Sequence, residues 1–354
     1  MSFSTPCVVV DRDILERNIA AMSGAAVAGG WALRPHAKTH KCLEIARRQL
    51  DAGAVGITVA TVAEAEVFVE AGCTDVFIAY PLWVDRPRGA RLSALLERSS
   101  LRVGVDSAAG AEALARHTTA DGMLEVLVEI DSGHHRTGVP PDEAGAVAAA
   151  SVAAGLRVDG VFTFPGHAYG PGLAGPAAAD EAAALDRAAG SLRAAGISAE
   201  VLSGGSTPTA AVTAPGTLTE LRPGVYVFGD AQQLELGTCT IDDIALTVAA
   251  TVVSRAGGRV VLDAGSKVLG ADRPAWASGF GRLAAHAEAR ISALSEHHAT
   301  VAYPPDSPLP ELGAVVRVVP NHVCATVNLA DELLVVAEGV EVDRWRVAAR
   351  GAND

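Results

Sequence analysis

Between about residues 31 and 225, eight short apolar runs alternate with Ala-, Glu- and Arg-rich stretches of helical character, and this rhythm limits the architecture more than any other feature of the chain. The runs lie at 31–34, 56–60, 75–79, 102–105, 124–130, 157–163, 200–203 and 218–222, with helical segments such as 62–72, 141–154 and 177–195 between them. Repeated β-α-β units put their strands in a parallel sheet. Eight in roughly 200 residues is the count of a closed (β/α)8 TIM-type barrel, an α/β fold. An open doubly wound sheet stops nearer six strands and carries a Gly-rich phosphate turn after its first strand, which is missing here.

After about residue 238 the texture changes to runs such as ALTVAATVVS, RVVLDAG, ATVAYPP, AVVRVVPNHVCATVN and DELLVVAEGVEVDRWRV, cut by Gly, Pro and Asp. They are β-branched and alternating, and read as strands of a C-terminal all-β domain. The expected division is therefore a barrel over 14–237 and a β domain over 238–354, joined by the N-terminal strand in 1–13, which has no helix before it.

Composition narrows the function. Hydrophobic residues make up 49% of the 354, but the longest apolar stretches fall short of the roughly 18 to 20 continuous residues of a membrane span. The net charge of −13, with no Lys/Arg cluster, excludes a nucleic acid or an anionic lipid surface as the expected partner and leaves small molecules. The opening MSFSTPCVVVDRD lacks a basic region followed by an apolar one, so a cytoplasmic location is expected. Cys7, Cys42, Cys73, Cys239 and Cys324 are scattered without CxxC spacing, which fits reduced thiols.

In a (β/α)8 barrel the active site lies at the C-terminal ends of the strands, so the residues just after each run are the ones to collect. They are RPHAKTHK from Arg34, DSGHHR from Asp131, FPGHAY from Phe164, SGGST from Ser203 and RPGVY from Arg222. Lys38, between His36 and His40, is the candidate amine: nearby positive charge and desolvation favour its neutral, nucleophilic form. Lys41 is the runner-up and expected to be solvated. Ser206, Thr207, Gly224 and Val225 offer a hydroxyl and successive backbone N–H groups for a phosphate. His167 is the candidate acid or base. His134, His135, His297 and His298 read as solvated.

One lysine at the first strand end, one arginine at the fifth and Gly-containing loops at the seventh and eighth resemble the barrel-type pyridoxal-phosphate enzymes, the alanine racemase-like fold. The motifs RPHAKTHK, VATVAEAE, FIAYP, FPGHAY, SGGSTPT, ELRPGVYVFGD, LDAGSKVL and PNHVCATVNL, in this order over almost the whole chain, are similar to the D-threonine aldolase and D-serine dehydratase group. The resemblance implies that pyridoxal 5'-phosphate forms a Schiff base with Lys38 and that Arg136 reaches the cofactor's phenolate oxygen. It also implies that Arg222 stands against the pyridine nitrogen and that Tyr169 lines the cofactor site.

His322 and Cys324 lie in a predicted strand, where residues two apart share a face and can bind one ion together. The resemblance implies a divalent metal there. Dehydratase members carry the same His-x-Cys pair, whereas aldolases carry His-x-Asp. Thiolate plus imidazole suits zinc best, with manganese or magnesium as alternatives, and two protein ligands leave positions open for substrate. The expected activity is a pyridoxal-phosphate- and metal-dependent lyase on D-configured β-hydroxy-α-amino acids, of the D-threonine aldolase type, yielding glycine and an aldehyde. The alternative is a D-serine or D-threonine dehydratase yielding a 2-oxo acid and ammonia. A metal-free racemase and a non-catalytic cofactor carrier fit less well, given the HxC pair and the β domain. The resemblance further implies a head-to-tail homodimer.

Overall fold

The computed structural model describes residues 3–119, 124–255 and 259–354, which divide into two units. One comprises Met22–Lys38, Ala46–Gly224 and Ala352–Asp354; the other comprises Met1–Ala21, Thr39–Ile45 and Val225–Gly351.

Strand β1 (Cys7–Asp11) belongs to the second unit; the strands of the first are β2 (Ala32–Leu33), β3 (Ile57–Val59), β4 (Asp75–Pro81), β5 (Ser100–Val105), β6 (Glu125–Ile130), β7 (Arg157–Thr163), β8 (Val201–Gly204) and β9 (Glu220–Leu221). They pair in parallel in the order β2-β9-β8-β7-β6-β5-β4-β3. A parallel bridge between His36 and Thr58 and a bond from the Thr58 N–H to the Pro35 carbonyl at 2.8 Å close the ring. The fold of this unit is thus a (β/α)8 barrel.

Why these segments fold this way is local. The Val and Ile of β3 and β6 are buried on both faces, which a parallel strand walled by helices requires. The crossover helices start on side-chain caps: Thr61 accepts the N–H of Glu64, Asp85 that of Arg88 and Ser107 that of Gly110. In β7, Gly160 has φ +153°, and a Cβ there would overlap the Val201 carbonyl oxygen of β8, so only glycine lets the two strands pair.

The barrel interior has an apolar layer and a charged one. Phe77, Leu127 and Phe162 pack together, with Phe77 edge-on to Phe162 at 5.1 Å between ring centroids. Nearer the strand starts, Arg34 Nε donates to Glu220 Oε2 at 2.7 Å and Arg34 Nη1 to Asp75 Oδ1 at 2.6 Å, while Arg102 Nη2 lies 3.1 Å from Glu125 and 3.0 Å from Asp159. Buried guanidinium groups are tolerated because each is paired.

The second unit carries β10 (Leu246–Ser254), β11 (Val260–Leu262), β12 (Gly281–Leu283), β13 (His286–Leu294), β14 (Ala299–Ala302), β15 (Val315–Pro320), β16 (Glu332–Ala337) and β17 (Val340–Arg346). The run β10-β11-β14-β13-β12-β15 returns to β10, so six antiparallel strands form a closed barrel. Strand β1 extends it, antiparallel to β10 and parallel to β16, with Val9, Ala249, Leu334 and Val336 buried in one cluster.

One expected strand is corrected. The segment PNHVCATVN is not a strand through its length: β15 ends at Pro320, His322 is extended at φ −134° and ψ 107°, and Val323–Leu329 is a helix. The β-branched Thr326 and Val327 favour a strand locally, but tertiary bonds override them. Asp230 Oδ2 accepts the Val323 N–H at 3.2 Å, the Gln232 N–H donates to the Asn321 carbonyl at 3.2 Å and Thr326 Oγ1 donates to the Leu269 carbonyl at 2.8 Å. Among the described residues no helix is long and apolar enough to cross a membrane.

Candidate active site

At the C-terminal ends of the barrel strands, Phe164 is the point on which the predicted residues meet. Lys38, in the 3-10 turn Ala37–Thr39 after β2, places Nζ 5.4 Å from the centre of the Phe164 ring, and the Arg136 guanidinium carbon lies 5.2 Å from the same ring. Tyr169 is tilted against it at 6.1 Å, and His134 stands edge-on at 5.5 Å. His134 is therefore not simply solvated: burial first, then Arg136 and His167, hold its imidazole below the ordinary value. His135, by contrast, is exposed and paired with Asp131 at 2.6 Å. Phe164 itself was missed as a site residue, although it opens the FPGHAY motif.

The two histidines that flank Lys38 are bonded to the backbone around it. His36 Nδ1 accepts the Lys38 backbone N–H at 3.4 Å, and His40 Nδ1 accepts that of Cys42 at 3.1 Å. Both histidines are buried and shape the chain on either side of Lys38.

His167 packs near Gly133, with Nε2 3.4 Å from Asp180 Oδ2, and neither ring nitrogen has a hydrogen-bond partner among the described residues. The ring is half-buried, and ring nitrogens shielded from water without hydrogen bonds are costly unless another group completes them.

Arg222 follows β9 and is buried at the end of the apolar layer. Its Nε donates to Ser203 Oγ at 2.8 Å, its Nη2 donates to the Thr163 carbonyl, and its guanidinium lies over the Phe77 and Phe162 rings at 5.5 and 5.3 Å. Burial lowers its pKa, opposed by Glu220, Glu181 and Glu129. Glu129 Oε1 accepts from Thr137 Oγ1 at 3.0 Å while Oε2 has no hydrogen-bond partner among the described residues, and burial raises its pKa.

Gly204 and Gly205 lead from β8 into Ser206, which caps the short helix Thr207–Ala210: Ser206 and Thr209 bond reciprocally, side chain to backbone. Gly224 is half-buried beside Pro223, whose carbonyl accepts the His36 N–H at 3.0 Å, and buried Val225 opens the turn Val225–Val227.

In the second unit, His322 Nδ1 is hydrogen-bonded to Asp272 Oδ2, and His322 is also hydrogen-bonded to the Cys324 side chain. Cys324 Sγ is 3.4 Å from Thr39 Oγ1. A carboxylate behind a histidine fixes its tautomer and aims its other nitrogen, the usual support of a metal-binding imidazole. Among the described residues no group of three or more His, Cys, Asp or Glu side chains is placed to hold an ion, so the candidate donor pair is His322 and Cys324 alone.

Comparison with known families places this geometry. Residues 10–232 match the alanine racemase N-terminal domain, and residues 245–336 match a putative serine dehydratase domain. The chain belongs to the alanine racemase-like family. Its relatives over nearly the whole chain are pyridoxal-phosphate-dependent aldolases and dehydratases, and with them it is a pyridoxal-phosphate-dependent lyase. It is 36% identical to the D-threo-3-hydroxyaspartate dehydratase of Delftia sp. (strain HT23), over 92% of each chain. It is 37% identical to the D-threonine aldolase of Arthrobacter sp., over 98% of this chain and 93% of that one. A D-threo-3-hydroxyaspartate dehydratase solved as a cysteine-to-alanine mutant in a metal-free form superposes with a TM-score of 0.89 at 34% identity, covering 98% of this chain and 97% of that one.

Proposed function

We propose that this enzyme cleaves D-configured β-hydroxy-α-amino acids by retro-aldol reaction to glycine and an aldehyde, using pyridoxal phosphate at Lys38 and a divalent ion, zinc, at His322 and Cys324. The convergence of Lys38, Arg136 and Tyr169 on Phe164 carries the cofactor reading: it sets an amine and a fixed cation on one aromatic side chain at the catalytic end of the barrel. Bound pyridoxal phosphate supplies an electron sink for bonds at the substrate's α-carbon.

In this reading Lys38 holds the cofactor covalently and Arg136 supplies a permanent positive charge for its phenolate oxygen. Ser206, Thr207, Gly224 and Val225 hold its phosphate. Arg222, fixed by Ser203 and Thr163, presents a guanidinium that cannot yield its proton, so it favours an unprotonated pyridine nitrogen. His167, whose two ring nitrogens have no hydrogen-bond partner among the described residues, takes the proton from the substrate hydroxyl. An ion on the Asp272-supported imidazole and the thiolate would polarise a substrate oxygen.

A second reading, dehydration to a 2-oxo acid and ammonia, is favoured by one residue. Cys324 matches the His-x-Cys pair of dehydratases, and a dehydratase relative has been studied as a cysteine-to-alanine mutant in a metal-free form.

The test is chemical. Borohydride reduction of the holoenzyme should leave the cofactor's mass on the Lys38 peptide, and Lys38→Ala should abolish the label; a label elsewhere overturns the assignment. With D-threonine, glycine and acetaldehyde mean aldolase, and 2-oxobutanoate with ammonia means dehydratase. Equal turnover of L-threonine would refute the D-configured substrate.

A further inference from the structure

The helix Ala174–Ala194 buries Ala177, Ala178, Ala184, Ala188 and Ala189, and among these small side chains stands one carboxylic acid, Glu181, with no exposure. A buried carboxyl on such a face is costly unless the structure uses it. Its Oε1 accepts the Gly205 N–H at 2.8 Å, and its Oε2 has no hydrogen-bond partner among the described residues. The two glycines are shaped around it: a Cβ on Gly204 would overlap Oε1, and Gly205 has φ +79°. The carboxyl therefore fills the space behind the turn that leads directly into Ser206 and Thr207.

We propose that Glu181 is the positioning residue of the loop after β8 and that it takes up a proton when a phosphate group settles on that loop. The inference rests on the reading that Ser206 and Thr207 hold the cofactor's phosphate. Oε1 fixes the path of the loop through Gly205. A proton on Oε2, the oxygen without a partner, removes the negative charge behind the anion while Oε1 goes on accepting.

The surroundings permit that proton. Burial pushes the Glu181 carboxyl up to about 7, against the Gly205 N–H and Arg222, so it is poised near neutrality before any anion arrives. An added negative charge raises it further. Arg222 is the charged side chain that faces it, with Glu220 and Glu129 acting on Arg222 from beyond. On the other elements packed against this helix, Glu125 of β6 and Asp159 of β7 are paired with Arg102 and Arg157, His167 with Asp180, and Asp142 with Arg187, while Glu143 is exposed; the helix Ala144–Ala153, β8 and the helix Thr207–Ala210 carry no titratable side chain.

Cofactor-stripped wild type, Glu181→Gln and Glu181→Ala are titrated with pyridoxal phosphate and with pyridoxal between about pH 6.5 and 8.5, the range in which such a group changes charge. Relative to Glu181→Gln, wild-type affinity for pyridoxal phosphate should fall by up to about tenfold per pH unit above about pH 7. The glutamine is neutral and keeps an acceptor for Gly205. The ratio cancels the titrations of Lys38 and of the phosphate, which the two proteins share. Pyridoxal should show no such divergence, and Glu181→Ala, lacking the acceptor, should bind pyridoxal phosphate more weakly at every pH. Should the alanine variant fail to fold, the glutamine comparison stands alone. Parallel pH profiles for wild type and Glu181→Gln, or a glutamine variant as weak as the alanine one, would overturn the role of Glu181 while wild type still prefers pyridoxal phosphate to pyridoxal. Equal affinity of wild type for both ligands would overturn the phosphate-loop reading and this inference together.

Discussion

Replacing Glu220 by glutamine removes one charge from the middle of the buried ionic layer and leaves the volume unchanged. Glu220 Oε2 accepts from Arg34 Nε at 2.7 Å and Oε1 from Ser203 Oγ at 2.6 Å, and the same Ser203 oxygen accepts from Arg222 Nε at 2.8 Å. A carboxamide has one acceptor oxygen, so its NH2 must face either the Arg34 donor or the Ser203 hydroxyl. Removing one partner of a buried pair costs about 3–5 kcal/mol. Arg34 keeps Asp75, at 2.6 and 3.1 Å, so the expected loss is smaller, about 2–3 kcal/mol. At about 2 °C per kcal/mol for a chain of this size, Tm should fall by about 4–6 °C at pH 7. Arg187→Ala, which breaks an exposed pair with Asp142, should cost less than about 0.5 kcal/mol and serves as the control. The pH dependence has a definite sign. Burial pushes Glu220 up, but Arg34, Ser203 and Arg102 outweigh it, and the folded-state pKa is lowered. The stabilisation is therefore complete above the unfolded value of about 4.3 and disappears as pH falls through the folded one. Thermal unfolding followed by circular dichroism should show the gap between wild type and Glu220→Gln closing in acid. A variant within about 1 °C of wild type at pH 7, or a gap that persists unchanged into acid, would refute the reasoning, since about 2 °C is expected from each kcal/mol.

Two further outcomes follow from particular contacts. Gly160→Ala drives a Cβ into the Val201 carbonyl at a φ of +153°, so it should cost about 3 kcal/mol or more and show as a drop in Tm or in soluble yield; a wild-type melt would mean that β7 and β8 can separate freely. Asp272→Asn should weaken zinc binding about 10- to 100-fold in competition with a chelator, because the imidazole of His322 loses the carboxylate behind it, and unchanged affinity would remove Asp272 from the site.

The barrel was legible because its strands are written in the residues that strands need. Each of the eight apolar runs overlaps an observed strand, down to β2 and β9, which keep only two residues each. The β domain was legible in outline only. Its strand β13 (HAEARISAL) alternates, but its Ala, Glu and Arg are helix-favouring residues that hide the strand, and the turn from β15 into His322 is set by Asp230 and Leu269, far away in sequence.

At the site, the motifs led to Lys38, Arg136 and Tyr169, and Phe164 unites them. Three acids could not be found in that way. No motif marks Glu129, Glu181 or Glu220 along the chain, and only closure of the barrel buries all three around Arg222. That grouping changes the electrostatic argument for the arginine. A lone buried guanidinium would be an expensive charge, whereas one enclosed by three carboxyls, two of them with an oxygen that has no hydrogen-bond partner among the described residues, sits among groups whose protonation can adjust to what binds beside it. The sequence motif specifies the arginine, and the barrel specifies the acids that decide how much positive charge it presents.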